Sequence, residues 1–227
     1  MTYDTTKDPR IIVANLACAL LKKCVKQKPV APLKISRDKL SQLAAACESA
    51  VMTMMYMYQE PEALVSLPPV SNLTEAAKAI ADAYEKLLSA ADDQSLLRAN
   101  VRWCLRTLEG LAQRLSNPGA TLASGVDLVV VQVRNAVKME KGSNLSKTRV
   151  TDGAAAYTVV TNLTDIAVHL RPAAAFLPPR EIGGTVSEAM FLGSGNRTET
   201  PGTILSEEQV DAKEAASILY EEVAKHH

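Results

Sequence analysis

Apolar residues recur at helical spacing through the first half of the chain and give way to a denser, β-branched pattern in the second. Ile11, Ile12, Leu16, Ala19 and Leu20 fall at three- and four-residue intervals, which predicts a helix over residues 9–28. The run Lys28-Pro29-Val30-Ala31-Pro32 ends it, because two prolines forbid a continuing helix. Ser36 is the expected N-cap of a second helix over 36–58. Pro61, Pro68 and Pro69 read as a loop, and Asn72-Leu73-Thr74-Glu75 as a capping box that opens a third helix over 74–90. Asp92 is the expected cap of a fourth, over 92–115, stopped by Asn117-Pro118-Gly119. Helices of this length with short connections predict a bundle.

Beyond residue 125 the period changes. Residues 126–138 are rich in valine and read as one long strand, followed by strands over 148–151 and 156–161. Asp152-Gly153 between the last two is a hairpin signal. Residues 173–177 and 189–192 read as two further short strands. Five strands of this kind fit a small closed barrel such as the five-stranded OB-fold. Ser206-Glu207-Glu208-Gln209 is a capping box that opens a final helix to residue 224. The predicted class is therefore α+β: a helical bundle over 1–117, an OB-fold barrel over 118–200 and a C-terminal helix over 201–227.

Composition narrows the function. The chain has 227 residues, with 25 Lys plus Arg against 25 Asp plus Glu, so it is no general polycation or polyanion. Hydrophobic residues at 47% and charged ones at 22% are those of a folded domain. No run of 18 apolar residues spans a membrane. Residues 11–21 are flanked by charges and lack a small-residue cleavage site, so they read as a helix of a cytoplasmic protein. Cys18, Cys24, Cys47 and Cys104 lie in apolar helical patterns without zinc-site spacing, which predicts reduced core thiols and no metal. Met52, Met54, Met55 and Met57, with Tyr56 and Tyr58, read as core, as does Trp103, with Arg102 and Arg106 outside it. The only internal histidine is His169, no Ser-His-acid set can be assembled, and Gly183-Gly184 is a turn, so no enzyme and no cofactor are expected. Lys22, Lys23, Lys26 and Lys28 cluster at the end of the first helix, where they complement its dipole and would also extend an RNA footprint.

The second half carries a series of motifs. Asp127-Leu128-Val129-Val130-Val131-Gln132-Val133 opens it, followed by Asn144-Leu145-Ser146-Lys147-Thr148-Arg149 and Thr158-Val159-Val160-Thr161-Asn162. Leu177-Pro178-Pro179-Arg180 and Gly184-Thr185-Val186-Ser187-Glu188-Ala189-Met190 complete it. In content and order these resemble the tRNA-binding OB-fold domain family of the EMAP-II-like and methionyl-tRNA synthetase C-terminal type. The resemblance covers residues 126–193. It implies RNA contacts from Asn144, Lys147, Arg149, Asn162, Arg180, Ser187, Glu188 and Met190. It also implies tRNA or another structured RNA as ligand, an aminoacyl-tRNA synthetase as partner, and a homodimer. Two positions depart from the pattern: the loop over 140–144 lacks the family's His-Pro, and Ala189 stands where the family has Gly. A competing expectation is an interaction scaffold, in which the bundle mediates oligomerisation or partner docking and the barrel is RNA-silent.

Overall fold

The computed structural model describes residues 3–29, 31–90, 93–140 and 144–226. The expected cap Asp92 lies outside the described residues, as do Val30, His227 and the 141–143 part of the 140–144 loop.

The first helix, α1 (Pro9–Lys26), starts where its sequence signals place it. The Asp8 carboxylate accepts from the backbone N–H groups of Arg10 and Ile11, and Pro9 occupies the first helical position. Ser36 caps α2 (Arg37–Met55) by accepting from Lys39 N at 3.2 Å. After α3 (Pro61–Leu64) comes α4 (Pro68–Ala83), which corrects the expected loop. Pro68 and Pro69 begin this helix because their fixed φ suits its first turn, where no N–H is required. Thr74 is an interior residue whose hydroxyl donates to Val70 O at 2.9 Å, and no capping box forms at Asn72. The chain breaks at Tyr84 before α5 (Glu85–Ser89). Ser95 caps α6 (Leu96–Glu109), and a kink at Gly110 separates it from α7 (Leu111–Leu115).

The predicted long strand is β1 (Leu128–Val130) and β2 (Gln132–Lys138), joined through Val131. Then come β3 (Ser146–Thr151), β4 (Ala156–Thr161), β5 (Ala173–Ala175), β6 (Arg180–Ile182), β7 (Thr185–Ser187) and β8 (Met190–Phe191). All pairings are antiparallel, in three sheets ordered β1-β5-β8, β2-β3-β4 and β6-β7. These sheets are open, and the described strand pairing closes no barrel. Asp152-Gly153 makes the expected β3–β4 turn, with Gly153 at φ 93°, and Gly183-Gly184 turns the unexpected β6–β7 hairpin. Ser206 and Gln209 do form a capping box, but it closes a 3-10 turn over Glu207–Gln209. The final helix, α8, starts only at Lys213 and runs to Ala224.

One core spans both halves. Leu128, Val130, Ala173, Ala175 and Leu177 pack against the helices, while Val129, Val131, Ala174 and Phe176 face a second core with Val133, Val150, Tyr157 and Val159. The β1-β5 pair is thus buried on both faces, which explains its unbroken apolar sequence. All four cysteines are free and buried, as expected. The methionine-rich stretch divides: Met54 and Met55 are buried, whereas Met52, Tyr56 and Tyr58 are exposed. Gly125 lies so close to α1 that a Cβ there would come within 2.5 Å of Val13 Cβ.

The buried Asp8 also receives Arg10 Nε at 3.0 Å and Nη2 at 2.6 Å, while Arg10 Nη1 donates to Arg114 O at 3.2 Å. Burial alone would raise the Asp8 pKa, but the bonds and charge of Arg10, with Tyr3, hold it below the ordinary value. A carboxyl depressed in the folded state contributes stability above its unfolded pKa and loses it as pH falls through the folded one. Stability should therefore decline as pH drops below about 4. Asp8→Asn keeps a capping oxygen without the charge, and should flatten that acid limb in urea titrations at stepped pH. An equally steep limb in the variant would contradict this.

Candidate nucleic-acid interface

Alternation along β3 turns Lys147, Arg149 and Thr151 to one face and buries Thr148 and Val150 on the other. Opposite them, Val137 pairs with Lys147 and Asn135 with Arg149, after a register shift that leaves Arg134 bulged between Val133 and Asn135. At the end of the ladder Lys138 pairs with Ser146, and Ser146 with Thr161, which brings Asn162 alongside. Arg134, Lys138, Asn144 and Asn162 are exposed. Among the described residues Arg134 and Lys138 form no ion pair. The ammonium of Lys147 donates to Gln94 Oε1 at 2.9 Å.

The rest of this sheet is met by α6. Four-residue spacing puts Arg98, Arg102 and Arg106 on one side of that helix. Both terminal nitrogens of Arg102 donate to Ala156 O at 3.2 Å, one pairs with Glu188 at 3.2 Å, and the guanidinium lies 4.0 Å from the Tyr157 ring centre. Arg106 donates to Asp127 at 2.6 Å, Asp152 at 3.1 Å and the Tyr157 hydroxyl at 2.7 Å, and stacks 3.9 Å over Phe176. Asp127 takes a second cation, Arg114. Between these, Trp103 Nε1 donates to Phe176 O at 3.0 Å. Arg102 and Arg106 are therefore not outside groups: their side chains are 15% and 24% exposed because the β half supplies the anions that cover them. Burial would lower the Arg106 pKa, but Asp127, Tyr157 and Asp152 raise it. Burial likewise works to raise Asp152, which backbone N–H groups and Arg106 hold below its ordinary value.

The eight residues singled out in the sequence thus fall in three places. Asn144, Lys147 and Asn162 gather at the open end of β3 and β4. Arg149 of β3 and Glu188 line the cleft where α6 docks, and Ser187 of β7 lies beside β4: Glu188 accepts from Thr158 N at 3.0 Å, and the Ser187 hydroxyl accepts from Val160 N and donates to Ala189 O, both at 3.0 Å. Arg180 pairs with Glu222 of α8 at 2.7 Å, and Met190 packs against the main core. Arg134 and Lys138 were missed. The bulge that displays Arg134 has no signature in the valine-rich run, although Lys138 stood next to the loop.

A family model described as an alpha helical domain matches residues 1–117. The chain belongs to that family. In this alpha helical domain protein, the matched segment contains all of α1 to α7, including the arginine row that grips the sheets. No curated protein matches the chain. Among solved structures, the "MetRS related protein from Pyrococcus horikoshii" is 18% identical, with 36% of this chain and 90% of that chain covered and a TM-score of 0.33.

Proposed function

We propose that the chain is a non-catalytic, cytoplasmic RNA-binding accessory that takes tRNA or another structured RNA at the open end of β2, β3 and β4. The observation that carries this reading is that Lys138 and Lys147 gather with the amides of Asn144 and Asn162 around the open end of β2, β3 and β4, the two lysines on opposite faces, with Arg134 displayed by the bulge further along β2. Cations set on a rigid ladder match phosphate spacing by position, and exposed amides meet sugar and base edges. Support for an OB-type barrel comes from three backbone bonds outside the ladders. Val131 N donates to Pro172 O at 3.0 Å, Val133 N to Leu170 O at 2.9 Å and Glu188 N to Thr158 O at 2.9 Å. On this reading β1 and β2 are one bent strand, and β3, β4, β5 and β8 are the other four. The setting is one in which bound tRNA is passed to an aminoacyl-tRNA synthetase by raising its effective concentration, with a second copy of the chain completing the RNA footprint.

Titration of labelled total tRNA by fluorescence anisotropy tests this. Binding should weaken steeply with salt, and Lys138→Ala with Lys147→Ala should reduce affinity about tenfold or more and flatten the log–log salt slope by about 2. No binding at low salt would sink the proposal. It would move attention to the protein-docking alternative, for which Tyr56 and Tyr58, 58% and 47% exposed at the end of α2, are the specific support.

A further inference from the structure

Two irregularities of the backbone meet at Val133. On one side β2 bulges, and the register shift between Val133 and Asn135 displays the exposed Arg134. On the other side the β4–β5 loop clasps Val133: the Val133 N–H donates to Leu170 O at 2.9 Å, and its carbonyl accepts from His169 N at 2.9 Å. His169 stands there at φ 74°, in the left-handed region, and is exposed. A residue other than glycine holds such a conformation only where the bonds around it impose it, and both bulges and strained residues gather at binding sites. The aromatic rings between residues 126 and 200 are Tyr157, His169, Phe176 and Phe191. Sheets of the OB type offer such rings to bases as stacking platforms. Here Tyr157 lies under the Arg102 guanidinium at 4.0 Å, and Phe176 under that of Arg106 at 3.9 Å. Phe191 is buried in the second core. His169 is therefore the ring of this region that a base can reach, and Val168, 44% exposed, extends its apolar surface.

We propose that His169 and Arg134 bind one unpaired nucleotide of an RNA, with the base stacked on the imidazole and the phosphate held by the guanidinium. Stacking on a side-chain ring needs a base that has left its own stack, and it accepts every base because every base has a flat face. A guanidinium fork meets phosphate oxygens in bidentate geometry. A duplex keeps its bases paired inside and offers the ring nothing. The inference rests on the RNA-binding reading above and adds the class of target: RNA with an exposed single-stranded segment.

The test is fluorescence anisotropy of the full chain with three labelled RNAs: a short oligouridylate, which stays single-stranded, a blunt duplex of equal length, and total tRNA. The oligouridylate should bind. Asparagine and glycine both suit a positive φ, so His169→Asn and His169→Gly remove the ring without straining the loop. Each should weaken oligouridylate binding about fivefold or more. Both should leave the affinity for the duplex as it is in the unaltered chain. Arg134→Gln should flatten the log–log salt slope for the oligouridylate by about 1. Four results each overturn the inference and leave the RNA-binding reading in place: tRNA binds but the oligouridylate does not, both His169 variants bind the oligouridylate as the unaltered chain does, their loss is as deep on the duplex, or the salt slope is unchanged in Arg134→Gln. Failure of all three RNAs to bind at low salt overturns both.

Discussion

Arg106→Ala should lower the free energy of unfolding by about 3–5 kcal/mol, among the largest losses any single truncation here produces. The guanidinium bridges two carboxylates that are themselves only 13% and 9% exposed, Asp127 at the start of β1 and Asp152 in the β3–β4 turn. Truncation strands both in a medium that solvates charge poorly. Asp127 keeps Arg114, but Asp152 keeps only backbone donors and the Tyr157 hydroxyl. The Phe176 ring loses its stacked cation as well. Urea denaturation at neutral pH reads the loss directly. Adding Asp152→Asn to Arg106→Ala should recover part of it, because it removes one orphaned charge. A loss under about 1 kcal/mol, the range of exposed pairs, would mean that the network is wet and contributes little.

Trp103→Ala should cost a comparable amount, about 3–5 kcal/mol, for a different reason. Trp103 is 3% exposed and sits where the helical core meets the β half, with its N–H on the Phe176 carbonyl. Alanine opens a cavity there and leaves that carbonyl without its donor. Trp103→Phe keeps most of the volume and loses only the bond, so it should cost about 1–3 kcal/mol. Because the core is continuous across both halves, circular dichroism and the emission of this single tryptophan should trace one transition in the unaltered chain. The urea dependence of Trp103→Ala should keep the same slope at a lower midpoint. A slope near half the original would show the halves unfolding separately and refute the shared-core account.

Much of the fold was legible because its signals are local. Asp8 with Pro9, Ser36, and the Asp152-Gly153 turn each declare an end or a reversal within three residues. Where two local rules competed, the sequence misled: Pro68-Pro69 obeys a loop rule and a helix-start rule alike, and packing of Val70, Leu73 and Ile80 decides for the helix. The β6–β7 hairpin escaped notice because two three-residue strands are too short to show a period. The site was harder still. Arg102 and Arg106 were expected outside the core beside Trp103, and nothing near them or Arg98 in sequence says whether such a row faces water or carboxylates. Their partners Asp127, Asp152 and Glu188 lie far downstream. The motif resemblance grouped eight residues that the fold distributes over an open sheet end, a docking seam and the α8 side. A motif records order along the chain, and exposure depends on what another segment covers.

The division of charge between the halves also bears on how the protein comes into being. Among the described residues, every buried carboxylate of the seam belongs to the β half, and every guanidinium that meets one there belongs to α6 or α7. Since α6 and α7 precede β1, a chain emerging from the ribosome presents its cations first, and each anion that follows arrives at a surface already prepared to receive it. A circular permutant that exchanged the two segments would make the same bonds in the end, but it would have to carry unscreened acids through its early life to reach them.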